Sequence, residues 1–166
     1  MTNMLAFKPT CGKLAPVYSA CCEEMGGVLS TLERLVRMTW TLGRPERDYV
    51  ILSEGNASAR IDAGSFWVKA SGSRMADAEQ GIFLQVDLAK ALALLDGPPL
   101  SESEMRSGLT AAKTDPHAAG SPSIETAMHA LCLTLGGAAF VGHTHPTAIN
   151  AILCARDAKA PFSGSI

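Results

Sequence analysis

Charge is scarce in this sequence, and neither sign dominates. Charged residues make up 18% of the 166 residues, the formal net charge is −2 and the isoelectric point is about 6.1. No basic field exists to gather phosphate backbones, which sets aside general nucleic-acid binding. No apolar run reaches the roughly 20 residues of a membrane span. Residues 1–10 carry a single lysine and no long apolar stretch of the kind a secretory leader requires. C-x-x-C spacing is also missing. Cys11, Cys21, Cys22, Cys132 and Cys154 are odd in number and irregular in spacing, against a disulfide framework, a cysteine zinc site or a redox pair. Reduced thiols and a cytoplasmic setting are the expectation. There is no internal repeat.

What is present is a globular composition. The chain is 47% hydrophobic, and its length suits one domain with a single core. Residues 1–15 contain Pro9 and Gly12 without a clear period and read as a loose arm, leaving 16–166 as the domain. Residues 17–42 have helical spacing and stop at Gly43. Short β-branched or aromatic runs predict strands over 48–53, 57–61, 65–70, 82–86 and 138–144. Helices are predicted over 87–95, 122–135 and 147–155, and a long polar loop over 97–121. In the helix over 122–135, Ser121 is the expected N-cap, Pro122 the first helical residue and Glu125 a first-turn residue. Three consecutive strands between 48 and 86 favour a mixed, partly antiparallel sheet with helices on its faces. Trp40 and Trp67 read as core residues.

Four short segments carry chemistry. In Gly142-His143-Thr144-His145-Pro146, two histidines two apart on a strand point to one face and can reach one metal ion. Two unrelated histidines at a strand end would look the same. Glu125 stands at a helix start, where the dipole favours an ionised carboxylate. That suits a metal ligand or proton acceptor, and equally a carboxylate that only caps the helix. His129 lies one turn further along the same face, as a support for the site or a buried polar residue. Gly55-Asn56-Ala57-Ser58 and Ser71-Gly72-Ser73 each follow a strand and offer a glycine turn with free N–H groups and polar side chains. Such turns can cradle a phosphate, although turn geometry alone calls for Gly and Asn.

The order of these segments is more specific than any one of them. Ser53-Glu-Gly-Asn-Ala-Ser58, Lys69-Ala-Ser-Gly72, Pro122-Ser-Ile-Glu125 with His129, and His143-Thr-His145-Pro146 together resemble the class II aldolase/adducin family over about residues 28–160. The resemblance implies a three-layer α/β/α sandwich around a mixed, mostly antiparallel sheet. It implies that Glu125, His143 and His145 bind Zn2+ or another divalent metal. Ser53, Gly55, Asn56, Ser71, Gly72 and Ser123 would bind the phosphate of a small sugar substrate. The implied reaction is C–C cleavage of a phosphorylated keto-sugar through a metal-stabilised enediolate, with Glu125 alternating between ligand and proton carrier. Family members are often tetramers, so a homo-oligomer is expected.

The sequence also departs from the family pattern. The family's lyases place a third histidine well after the H-x-H pair. Here nothing after His145 is a histidine, and His117 and His129 both precede it. The chain is therefore read either as truncated at its C-terminal end, with an open sheet edge, or as having that gap covered by a partner. Three further readings stand beside the lyase. One is an adducin-like binding module, one an inactive remnant of the same fold, and one an epimerase, dehydratase or decarboxylase using the same metal site.

Overall fold

The computed structural model describes residues 3–7 and 28–157. The predicted helical residues 17–27 and the remainder of the predicted N-terminal arm lie outside them.

Five strands form one sheet: β1 (Asn3–Phe7), β2 (Asn56–Arg60), β3 (Ser65–Lys69), β4 (Phe83–Asp87) and β5 (Phe140–Thr144). Their order is β1-β5-β2-β3-β4, and each neighbouring pair is antiparallel. The parallel component expected of a mixed sheet is absent among the described residues. Residues 3–7, read from the sequence as loose arm, instead pair along β5, with Met4 opposite His143. This covers a row of backbone groups that an edge strand would leave open. At the other edge, Asp87 N–H donates to Ala112 O (2.8 Å) and Thr114 N–H to Gln85 O (3.0 Å), so a loop covers part of β4.

Side-chain alternation gives the sheet two apolar faces, each with its own helices. On one face, α1 (Thr31–Leu42) sets Leu35 against Ala57, Ala59, Met75 and Phe83. Ser30 and Glu33 close a capping box at its start. Gly43 stops it as predicted, although with an ordinary φ of −80°. Glycine is required there for space, because a Cβ would lie 2.3 Å from the Met75 carbonyl carbon. On the other face, α2 (Leu88–Ala93), α3 (Glu102–Ala111) and α4 (Thr126–Leu135) cover Phe66, Val68, Leu84, Val86 and Val141. A short α5 (Thr147–Leu153) follows β5. The result is the expected α/β/α sandwich.

Four further expectations fail. Residues 48–53 form no strand: Asp48 (φ 55°) and Leu52 (φ 53°) are left-handed, which breaks an extended run at both ends. The 97–121 loop contains α3, which Ser101 and Glu104 start with a second capping box and Leu109 anchors in the core. Gly108 lets α3 approach Leu94, whose Cδ2 would lie 2.5 Å from an added Cβ. Trp40 is exposed and lies under the Arg44 guanidinium, whereas Trp67 packs against the α1-side core as expected. Finally, α4 begins at Thr126 and not at Pro122. Pro122 forms an extended bridge with Ala70, and Ser71 N–H donates to Ser121 O (2.9 Å). Glu125 is the residue that precedes the helix, and its side chain caps nothing.

No helix of the described residues is long and apolar enough to cross a membrane.

Candidate metal and anion site

Sheet register builds the site. In the β2–β5 ladder, Asn56 sits directly opposite His143. This places the Gly55-Asn56 turn beside the H-x-H pair, 87 residues away in sequence. Gly55 makes the approach possible. Its φ is +77°, and a Cβ there would lie 2.7 Å from Val50 Cγ1 and 2.9 Å from the His143 carbonyl oxygen. From the other side, the Ala70–Pro122 bridge draws Ser123 and Glu125 toward the Ser71-Gly72 turn. Ser123 Oγ accepts from Glu125 N–H (3.1 Å), and Ser123 O from Thr126 N–H (2.9 Å), which fixes the bend into α4.

Glu125, His143 and His145 converge. One ligand atom from each lies within 4.8 Å of the others. Glu125 Oε2 is 3.3 Å from His143 Nδ1, and Glu125 Oε1 is 3.9 Å from His145 Nε2. The His143 imidazole holds the Glu125 carboxyl below the ordinary carboxylate range, against the opposing cost of burial. The first contact is close enough to act electrostatically, but it is not aligned as a hydrogen bond. Five buried side-chain polar atoms lack a hydrogen-bond partner among the described residues. Four are imidazole nitrogens: both of His143, Nε2 of His145 and Nε2 of His129. Buried polar atoms are rarely left so, and a divalent ion between Glu125 and the two histidines would satisfy one nitrogen of each of His143 and His145. The donor set of two imidazoles and one carboxylate is one that zinc accepts, with positions left open for water or substrate. The residues present therefore fit a metal ion.

His129 stands behind this group. It is fully buried, its ring centroid lies 6.0 Å from that of His143, and its Nδ1 is 2.7 Å from Ser58 Oγ. Burial first, then the neighbouring His143 and Lys69, push its pKa down to about 3 although Glu125 opposes them. His129 is thus a neutral support beneath His143, outside the converging group.

All six residues expected to bind phosphate line a single cleft of about 170 Å³ that reaches Glu125. Ser53, Gly55 and Asn56 come from one turn, Ser71 and Gly72 from the second, and Ser123 from the bend before α4. Gly72 has φ +80°, which favours glycine there. Asn56 is buried, with Oδ1 accepting from Ala57 N–H (2.9 Å), so its amide NH2 remains as a donor.

Three lining residues escaped the sequence reading: Glu54, Lys69 and Ile124. Glu54 Oε2 lies 3.4 Å from Nδ1 of His145, the nitrogen facing away from Glu125. Lys69 ends a strand whose neighbours Phe66 and Val68 are core residues, and its burial at 2% exposure was the unusual feature to notice. Ile124 gave no signal, being exposed beside the motif residues.

Comparison with known proteins agrees with this fold. No curated protein matches the chain. Among solved structures, the fold is similar to the N-terminal class II aldolase domain of a conserved protein from Thermoplasma acidophilum. The two share 24% identity at a TM-score of 0.66, over 80% of this chain and 62% of that one. It is also similar to YgbL from Klebsiella pneumoniae, described as a candidate aldolase/epimerase/decarboxylase, at 17% identity and a TM-score of 0.51, over 78% and 52%. The chain therefore spans less than two thirds of the length of these relatives. Residues 33–164 match the family described as the class II aldolase and adducin N-terminal domain. This chain belongs to that family.

Proposed function

We propose that the site serves a zinc-dependent, aldolase-type lyase that cleaves a C–C bond of a phosphorylated keto-sugar. One observation carries the reading: Glu125, which converges with His143 and His145, also lines the cleft formed by Asn56, Ser71, Gly72 and Ser123. A metal half-site and an anion half-site thus adjoin, as a small substrate with a phosphate at one end requires. A bound divalent ion supplies a Lewis acid for the negative charge that develops on the substrate's carbonyl oxygen. The two turns and the Asn56 amide hold the phosphate and fix the distance of the reacting carbons from His143 and His145. Glu125 would take the proton of the substrate hydroxyl that becomes the aldehyde and deliver it to the carbon left as enediolate.

A binding-only, adducin-like role leaves the buried imidazole nitrogens of His143 and His145 without a purpose. An epimerase, dehydratase or decarboxylase reaction would use the same residues in its first step. A homo-oligomeric assembly in the cytoplasm belongs to the same proposal. The test is a screen of ketose phosphates against the zinc-loaded protein, with aldehyde release as the readout. Release that chelator abolishes and that requires the phosphate group supports the lyase. Conversion of the sugar without aldehyde release would replace it with one of the other three reactions.

A further inference from the structure

A bound ion takes one nitrogen of His143 and leaves the other. Nδ1 is the nitrogen that faces Glu125 Oε2, at 3.3 Å, so Nε2 is the one left over. His143 Nε2 and His129 Nε2 are both buried, and neither has a hydrogen-bond partner among the described residues. The two ring centroids lie 6.0 Å apart, a separation that a direct contact or one internal water molecule spans.

Strand register explains why these groups meet. In the β2–β5 ladder Ser58 stands opposite Val141 and Asn56 opposite His143, so Ser58 and His143 share one face of the sheet. Helix α4 covers that face, with Ala127, Ala130 and Leu133 in the same apolar cluster as Val141. Into this layer Ser58 and His129 bring a fully buried polar pair, with Ser58 Oγ 2.7 Å from His129 Nδ1. Such a pair is costly inside an apolar layer unless its remaining polar groups are also satisfied. Ser65, another buried strand serine, is the informative comparison. Its hydroxyl donates to Asp62 Oδ1 (3.0 Å) and accepts from Gln85 Nε2 (3.2 Å), which serves the turn and sheet alone. Ser58 instead reaches across to the histidine that backs His143.

A neutral imidazole has one N–H and one lone pair. With its Nδ1 lone pair on a metal, His143 carries its proton on Nε2, and that N–H needs an acceptor. His129 offers a lone pair at Nε2 only when its own proton sits on Nδ1, where Ser58 Oγ accepts it. We propose that Ser58 and His129 are positioning residues that set the tautomer of His143 and so present its Nδ1 lone pair to the metal. The proposal rests on His143 being a metal ligand, and it adds how that ligand is prepared. The opposite His129 tautomer would drive the His143 proton onto Nδ1 and block the ligand atom.

The experiment uses zinc as the probe and the whole chain labelled with 15N-histidine. Long-range proton–nitrogen spectra of zinc-loaded wild type are expected to show His129 protonated at Nδ1 and His143 at Nε2. Competition against a chromogenic chelator is expected to show zinc bound about tenfold or more weakly in Ser58→Ala. Ser58→Thr, which keeps the hydroxyl, and Ser65→Ala should bind zinc as wild type does. In Ser58→Ala the His129 resonances should report a mixture of tautomers, which a role in packing alone would not produce. Should Ser58→Ala not fold, the wild-type spectra decide by themselves. His129 protonated at Nε2 in zinc-loaded wild type, or undiminished zinc affinity in Ser58→Ala, overturns the proposal and leaves the metal site standing. No zinc bound by well-folded wild type overturns the metal site itself, and the proposal with it.

Discussion

Glu54 Oε2 lies 3.4 Å from His145 Nδ1, while the other nitrogen of that ring, Nε2, faces Glu125 Oε1 at 3.9 Å. The ring is held between two carboxylates, one in the converging group and one behind it. A carboxylate on the far nitrogen of a ligating histidine fixes its tautomer and raises its basicity. Glu54→Gln is therefore expected to weaken zinc about tenfold or more without unfolding the protein. Competition against a chromogenic chelator measures this, and unchanged affinity would remove the role.

The cleft predicts a difference between ligands. Asn56→Ala removes an amide donor from the anion half-site and leaves the metal group in place. Phosphorylated ligands should weaken by about tenfold, at roughly 1–2 kcal/mol for a hydrogen bond to a charged group, and unphosphorylated analogues much less. Equal weakening of both would show that Asn56 acts only through the fold, through its bond to Ala57 N–H.

Gly55 tests the close approach of the turn to β5. In Gly55→Ala, left-handed φ and contacts under 3.0 Å with Val50 and His143 add together. A stability loss of roughly 2 kcal/mol or more is expected by urea unfolding. Gly72→Ala has the same kind of φ but nothing within 4 Å, so it should cost less, about 1 kcal/mol. Equal losses would mean that φ, and not the packing on His143, decides.

His129 gives a pH dependence whose sign is fixed. Its folded pKa, about 3, lies below the value of about 6.5 for an unfolded histidine. The unfolded chain then binds the extra proton as pH falls. The contribution is intact above pH 6.5 and is lost at about 1.4 kcal/mol per unit as pH drops toward 3. His129→Gln should flatten this part of the stability profile in metal-free protein. A His129 ring resonance that titrates near pH 6.5 would contradict the assignment.

How far the sequence disclosed this depended on where each signal resided. Strands β2, β3 and β4 followed from short β-branched or aromatic runs between turn signals, and Gly43 stopped α1 where expected. Residues 48–53 misled because Tyr49, Val50 and Ile51 favour strands locally. Left-handed Asp48 and Leu52 are set by their surroundings, including the bond from Thr147 N–H to Asp48 O at 3.1 Å. Helix α3 was readable in principle, since Ser101 and Glu104 form a capping box, but Gly, Pro and Ser around it masked the signal. The start of α4 was not, because the Ala70–Pro122 bridge that delays it is a long-range contact. The residues that come together at the candidate site were named through the order of four motifs. Glu54 and Lys69 were not, because their importance comes from what they face across the cleft.

The central claim is that Glu125, His143 and His145 hold one divalent metal ion. Elemental analysis of purified, dialysed protein, wild type beside His143→Ala and His145→Ala, tests it most directly. About one zinc per wild-type chain, lost from both variants while circular dichroism stays native, is the predicted result. Full zinc retained in both variants, or none in well-folded wild type after incubation with zinc, would contradict it.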